Sequence, residues 1–300
     1  MKFVLNIEVI GAGSVGMLLG SFLAQKGANV TFVVRNSQQH EALSVNPLER
    51  QSIDGQIEHF CVNVSQDLSK DADVVIVCTK FEHLHTVYPL LKELPLNTEI
   101  LFVQNGLAHF KQVDLLPQKN VAFASAQFGA QKLNHIKIVH RGIGILKLAI
   151  YRGECSFISS FTEFTEEWMP IELCEDPYEM LFEKALLNCF VNPLTYIMKV
   201  QNGKLIQNED AFNLLHQLYD ELMLAFPEYK VKFPFEFVRQ LCEKTSENTS
   251  SMLADRLAKR KTEIDTIVGE VIEKAMQNGH SLPTLQTLYK IVKVIEVEGT

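Results

Sequence analysis

An α/β domain built on a parallel sheet, followed by an all-helical domain, is the architecture that this 300-residue sequence predicts. Three observations lead there. Through the first half, short apolar runs rich in β-branched residues alternate with helix-like segments, as strands buried on both faces of a parallel sheet do. A glycine-rich loop, VIGAGSVG over residues 9–16, joins the first such run to the first helical one. From about Pro177 onward only amphipathic helical segments remain. The division expected is an α/β domain over 1–175 and a helical domain over 176–300. A hydrophobic content of 47% suffices for two cores.

Taken in order, FVLNIEVI reads as the first strand, and VGMLLGSFLAQKG as a helix ending at Gly27, a good C-terminal signal. NVTFVV is the second strand; DADVVIVCTK and TEILFVQNG hold two more. VAFASAQFG, HIKIVHRGIGILKLAI and MPIELCED add β-like segments, expected to extend the same sheet in partly antiparallel fashion. The helices then follow as DPYEMLFEKALLNCFVNPLTYIM, EDAFNLLHQLYDELMLAF, FPFEFVRQLCEKTSEN, TEIDTIVGEVIEKAMQNG and TLQTLYKIVKVIEV.

The net charge of −8 argues against nucleic acid as the main partner, because phosphate backbones call for a basic surface. A small anion held by a few local cations remains open. No apolar stretch approaches the ~18 residues a membrane-spanning helix needs. The N-terminal run carries Glu8 and leads straight into the glycine loop, which reads as a strand rather than a signal peptide. The six cysteines, Cys61, Cys78, Cys155, Cys174, Cys189 and Cys242, form no CxxC pair. They read as reduced core residues, and the chain as cytoplasmic.

In GAGSVG the glycines Gly11, Gly13 and Gly16 have the G-x-G-x-x-G spacing, after a strand and at the opening of a helix. The first allows a tight turn, the second close approach of a pyrophosphate, the third close helix–strand packing. The helix start at Ser14 and Val15 would turn its N–H groups to the phosphates. The N-terminal domain is thus expected to be a Rossmann-type dinucleotide-binding domain. At the end of the second strand, where an NAD enzyme places an acid, stands Arg35, 19 residues beyond Gly16. A guanidinium there suits the 2′-phosphate of NADP, with Asn36 and Ser37 as neutral helpers. Lys80 and Asn105 each follow the C-terminal end of an expected strand, the edge where open α/β sheets bind ligands. Asn105-Gly106 is equally an ordinary turn dipeptide.

In the helical half, Lys184, Asn188 and Asn192 recur every four residues in an otherwise apolar segment. They form one polar stripe, which either lines a cleft or pairs inside the core. Pro193 is expected to disturb the helix beside Asn192. Further on, Ser250 and Ser251 open a short segment, and TEID has capping-box form, with Thr262 as N-cap and Asp265 at N3. A helix break at Thr262 matters, since Ser251 and Glu263 would lie about 18 Å apart in one straight helix. Glu263 by itself is also an ordinary acid for a helix start.

The order GAGSVG, CTK, QNG, EKALLNCFVNPLT, NGKL, NTSSML and KTEIDTIVGEV closely resembles the ketopantoate reductases (2-dehydropantoate 2-reductases), from Gly11 to Pro283. The resemblance implies NADPH-dependent reduction of 2-dehydropantoate to (R)-pantoate, on the route to pantothenate and coenzyme A. It implies an active site in a cleft between the two domains. Lys184 resembles the catalytic lysine, acting as general acid, and Glu263 the acid that engages the reacting oxygen. Asn188 and Asn192 are similar to the residues that hold the substrate's hydroxyl end, and Ser251, with Asn248 nearby, to the carboxylate-binding serine. Gly11, Gly13, Gly16, Arg35, Lys80 and Asn105 resemble the cofactor contacts, Asn105 also reaching the substrate. One departure is Lys147, near where the family commonly carries glycine. A reductase of another branched 2-oxo acid, or a non-catalytic NADP-binding sensor, are the rival readings; the sensor would not need Lys184 and Glu263. The last helices are apolar enough either to support a homodimer or to complete the domain core.

Overall fold

The computed structural model describes residues 4–162 and 169–298. The chain forms two compact units. The first comprises Met1–Gln104 and His109–Met180, the second Asn105–Ala108 and Leu181–Thr300.

The first unit has twelve strands: β1 (Asn6–Ile10), β2 (Asn29–Val33), β3 (Leu48–Gln51), β4 (Ile57–Phe60), β5 (Asn63–Ser65), β6 (Val74–Val77), β7 (Glu99–Phe102), β8 (Val121–Ala126), β9 (Gly129–Lys132), β10 (Lys137–Gly142), β11 (Leu146–Arg152) and β12 (Ile171–Cys174). Its helices are α1 (Ser14–Gln25), α2 (Ser37–Val45), α3 (Leu84–Lys92), α4 (Phe110–Val113) and α5 (Ser156–Thr162). Eight strands form one sheet in the order β12-β11-β8-β7-β6-β1-β2-β5. From β8 to β5 every pairing is parallel, and β11 runs antiparallel to β8. The central strands read IEVI and VVIV because both faces are covered, so no polar face alternates with the apolar one. The first strand begins at Asn6, later than the apolar run suggests; Phe3 lies outside the described residues.

Two expectations change here. The HIKIV segment does not extend the main sheet. As β10 it joins a second sheet, β4-β3-β10-β9. That sheet lies against α1, which touches β1 and β2 on one side and β3, β4, β9 and β10 on the other. Its strands are short and half-exposed, and its inner face carries a buried arginine. Arg50 stacks over the Phe22 ring at 4.1 Å and pairs with Glu58 at 2.6 Å, so its charge is compensated rather than stranded. The cysteines are unpaired, but only Cys155, Cys189 and Cys242 are buried; Cys61 is exposed, and Cys78 and Cys174 are intermediate. Lys147 lies opposite Glu172 on β12 and pairs with it at 2.9 Å.

The second unit is helical: α6 (Pro177–Met198), α7 (Lys204–Gln207), α8 (Glu209–Ala225), α9 (Phe235–Lys244), α10 (Ser251–Leu257), α11 (Glu270–Gln277) and α12 (Pro283–Glu298). A π-helical stretch, Asp265–Gly269, leads into α11. Along α6, Ala185, Leu186, Cys189, Phe190 and Leu194 are buried, which is why the segment is apolar on nearly every side. Pro193 does not break α6. The helix runs on to Met198, and the Thr195 hydroxyl donates to the Val191 carbonyl. The break before Glu263 is present, but not as a capping box. The Thr262 hydroxyl accepts from the Ile264 N–H at 3.2 Å, while the Asp265 carboxylate turns to Lys293 and Tyr289.

Candidate active site

In the first unit the turn from β1 into α1 explains its glycines one by one. Gly11 has φ +101°, and a Cβ there would meet Thr79 at 3.0 Å. A Cβ on Gly16 would lie 2.1 Å from the Gly11 carbonyl oxygen. The fold itself therefore demands these two. Gly13 differs: apart from its chain neighbours, no atom of the protein lies within 4 Å of its Cβ position. Its φ of −85° suits any residue. The opening above Gly13, at the N-terminus of a twelve-residue helix without an acid in its first turn, fits a ligand phosphate.

That opening belongs to a cavity of about 430 Å³ bordered by Gly11, Gly13, Arg35, Thr79, Lys80 and Lys132. Gly11, Gly13, Arg35 and Lys80 thus meet in one place. Arg35 is exposed at its rim and donates to the Thr86 hydroxyl at 3.1 Å. Asn36 caps α2 instead of waiting for a ligand, its side-chain oxygen accepting from the Gln39 N–H. Ser14 and Val15 occupy the first turn of α1, and the Ser14 hydroxyl accepts from the Lys132 N–H at 3.2 Å. Lys132 is the residue that the sequence did not disclose. Its ammonium donates to the Ala12 carbonyl inside the glycine loop at 3.0 Å, and burial holds its pKa below the ordinary lysine value. It sits on β9, in the second sheet, so no local pattern ties it to the loop 120 residues earlier.

In the second unit Lys184, Asn188 and Asn192 share α6, one turn apart. Burial draws the Lys184 ammonium down to about 8, and the Glu263 carboxylate opposes that pull. Asn192 is buried and donates to the Ser251 hydroxyl at 3.3 Å. Ser251 is exposed as the first residue of α10. Its neighbour Ser250 is the structural one: it caps α10 through the Leu253 N–H and meets the Thr195 hydroxyl at 2.8 Å. Asn248 is exposed in the preceding loop, where its carbonyl accepts from the Asn202 N–H.

Asn105 groups with the helical unit, although it directly follows the β7 region in sequence. Its side-chain N–H donates to Glu263 at 3.0 Å. Gly106 makes this possible. It has φ +79°, and a Cβ would fall 2.0 Å from the Thr266 carbonyl oxygen, in the π-helical stretch. The Leu107 N–H also donates to that oxygen. The Asn-Gly pair is therefore a tight approach to the Glu263 segment as well as a turn. Asn105 with Glu263 and Asn192 with Ser251 are thus two polar pairs, and the Glu263 charge acts on buried Lys184; a buried lysine beside a carboxylate is the type of group that acid–base sites use.

Family models match the chain in both units. The model described as "Ketopantoate reductase PanE/ApbA" matches residues 7–153, and the one described as "Ketopantoate reductase PanE/ApbA C terminal" matches 178–296. The chain belongs to the ketopantoate reductase family. It is an oxidoreductase of that family. It is 32% identical to a 2-dehydropantoate 2-reductase of Listeria monocytogenes, over 98% of both chains. A crystal structure of the probable 2-dehydropantoate 2-reductase of Bacillus subtilis superimposes with a TM-score of 0.85 at 27% identity, covering 97% of this chain and 100% of that one. D-mandelate dehydrogenase, solved with NADH and anilino(oxo)acetate, reaches the same TM-score at 20% identity over 98% of this chain and 99% of that one, a likeness of fold alone. Among the described residues no helix of this family member is long and apolar enough to cross a membrane, and no cluster of metal-ligating side chains occurs.

Proposed function

We propose that this chain reduces 2-dehydropantoate to (R)-pantoate with NADPH, and that Lys184 is the proton donor. The observation that carries the mechanism is Lys184, drawn down to about 8 by burial and held up by Glu263, on the same helix face as Asn188 and Asn192. A group poised there is a competent general acid near neutral pH.

Gly13, Lys80, Lys132 and Arg35 would hold the dinucleotide: pyrophosphate over Gly13 and the start of α1, the adenosine 2′-phosphate toward Arg35. When bound, the nicotinamide supplies the hydride that the ketone carbon receives. Negative charge then builds on the carbonyl oxygen. The Lys184 ammonium meets that charge and gives its proton, leaving a neutral amine and a hydroxyl. Solvent restores the proton. Glu263, oriented by Asn105, keeps the lysine charged against its burial. Ser251 and Asn192 accept and donate hydrogen bonds at one end of the polar stripe, suited to the carboxylate and hydroxyl of the oxo acid. Asn188 lies between them and Lys184.

The test is oxidation of NADPH, followed by its absorbance, with 2-dehydropantoate, beside NADH and beside 2-oxoisovalerate. Fast turnover only with NADPH and 2-dehydropantoate is the expected result. Turnover with 2-oxoisovalerate alone would replace the substrate but leave the acid in place. No oxidation of either cofactor with either acid would overturn the proposal.

A further inference from the structure

A second cavity, of about 620 Å³, lies wholly within the helical unit, where α6, α10 and α12 end. It is outside the polar stripe: Lys199 follows Asn192 by seven residues, about 10 Å along the helix direction. Six cations line it, Lys199, Arg256, Lys259, Arg260, Lys261 and Lys293. Three carboxylates stand against them. Asp255 pairs with Arg260 at 2.9 Å, Asp265 with Lys293 at 2.8 Å, and Glu296 is in the wall. The balance is positive, in a chain whose net charge is −8.

The backbone here is unusual. Lys199 (φ +56°) and Lys259 (φ +52°) are the two non-glycine residues with left-handed φ among the described residues, and both line this cavity. Each follows the end of a helix, in the position that normally takes glycine. The signature bonds are present at both: the Val200 N–H donates to the Thr195 carbonyl, and the Arg260 N–H to the Asp255 carbonyl. A lysine inside either last turn would serve the helix dipole without left-handed strain. The dipole therefore explains cations nearby but not lysines at these two positions. Arg256 ties the two ends together, donating to the Tyr196 and Ile197 carbonyls at the end of α6, with its guanidinium 4.8 Å from the Tyr196 ring. Leu257 and Val297, exposed by 66% and 77%, give the same cavity an apolar side.

The geometry points to a second ligand site: this cavity binds the polyphosphate group of a small molecule, with Lys199 and Lys259 as its anchoring cations and the ligand's apolar portion against Leu257 and Val297. The volume is in the range of small-molecule sites. Strain kept at two positions facing one cavity is accounted for by a shared ligand.

The reasoning sets stability and binding against each other. Glycine at both positions relieves the backbone while removing both charges. The K199G/K259G variant should melt roughly 2 °C higher than the natural chain. Placed in the R35A/K132M background, which removes two of the first cavity's cations, the same pair of changes should weaken binding of inorganic tripolyphosphate at least tenfold by isothermal titration calorimetry, and an unchanged affinity there would overturn the inference. The R35A/K132M variant, altered only in the first unit, should bind tripolyphosphate like the natural chain through this site. Failure of the natural chain to bind tripolyphosphate would overturn the inference. So would binding that survives in K199G/K259G and vanishes in R35A/K132M. None of these readouts uses turnover, so the result stands apart from the proposed reaction.

Discussion

Replacing Glu263 by glutamine isolates the electrostatic part of the proposed mechanism. The amide oxygen can still accept from Asn105, so the packing of the segment is kept while the negative charge goes. With Glu263 present, Lys184 titrates at about 8, burial pulling it down and the carboxylate pulling it up. Loss of the carboxylate leaves burial unopposed and lowers the midpoint by about one pH unit, or ~1.4 kcal/mol. At pH 8 the protonated fraction falls from about one half to about one tenth, so turnover in the reductive direction falls ~5-fold. At pH 6.5 both forms are mostly protonated, and the loss is below about 1.5-fold. The assay is steady-state NADPH oxidation at saturating oxo acid from pH 6 to 9. The alkaline limb of kcat should move to lower pH. An equal loss across the range, with an unmoved limb, would refute the view that Glu263 acts through the lysine's proton.

The remaining expectations concern single residues. Lys184→Ala should lower kcat by ~10²–10⁴, while calorimetric titration shows dinucleotide affinity unchanged; retained turnover would remove the lysine from the mechanism. Gly13→Ala should leave thermal stability intact and weaken dinucleotide binding, because the space above Gly13 holds no protein atom apart from its chain neighbours. Gly16→Ala should lower the melting temperature instead, its Cβ meeting the Gly11 carbonyl; if both variants behave alike, the loop's glycines do not divide as argued. Arg35→Ala should reduce the preference for NADPH over NADH, and Lys132→Met should raise the KM for NADPH about tenfold, as loss of a charge-assisted hydrogen bond does. Unchanged KM values in the second would confine Lys132 to tethering the loop. Gly106→Ala forces a side chain into left-handed backbone against Thr266, and should destabilise the helical unit by more than ~1 kcal/mol, measured by denaturant unfolding.

What could be read along the chain was whatever repeats within a few residues. The buried parallel strands are continuous apolar runs, the helices carry their own period, and GAGSVG carries its spacing whole. The polar stripe of α6 is likewise a property of one helix: Lys184, Asn188 and Asn192 are four residues apart whatever surrounds them. The second sheet was hidden for the opposite reason. Its strands are short, and on β3 the buried Arg50, paired with Glu58 and set against two aromatic rings, interrupts the apolar face that Leu48 and Ile138 provide. Pro193 was expected to disturb α6, yet the helix continues through it to Met198, its neighbours buried in the core. Thr262 and Asp265 spelled a capping box, and Lys293 on α12 claimed the aspartate.

The sequence alone determined the two-part architecture, the dinucleotide loop and the lysine–asparagine stripe, since each depends on neighbours within a turn or a strand. Only the tertiary structure decided that Lys132 reaches Ala12, that Asn105 belongs with Glu263, and that Lys199 and Lys259 share a cavity. Each of those contacts joins residues some 60 to 160 positions apart. Chain spacing carries no information about such approaches. They are set by where burial of the surrounding apolar surface, and the need to compensate every buried polar group, bring the backbone to rest.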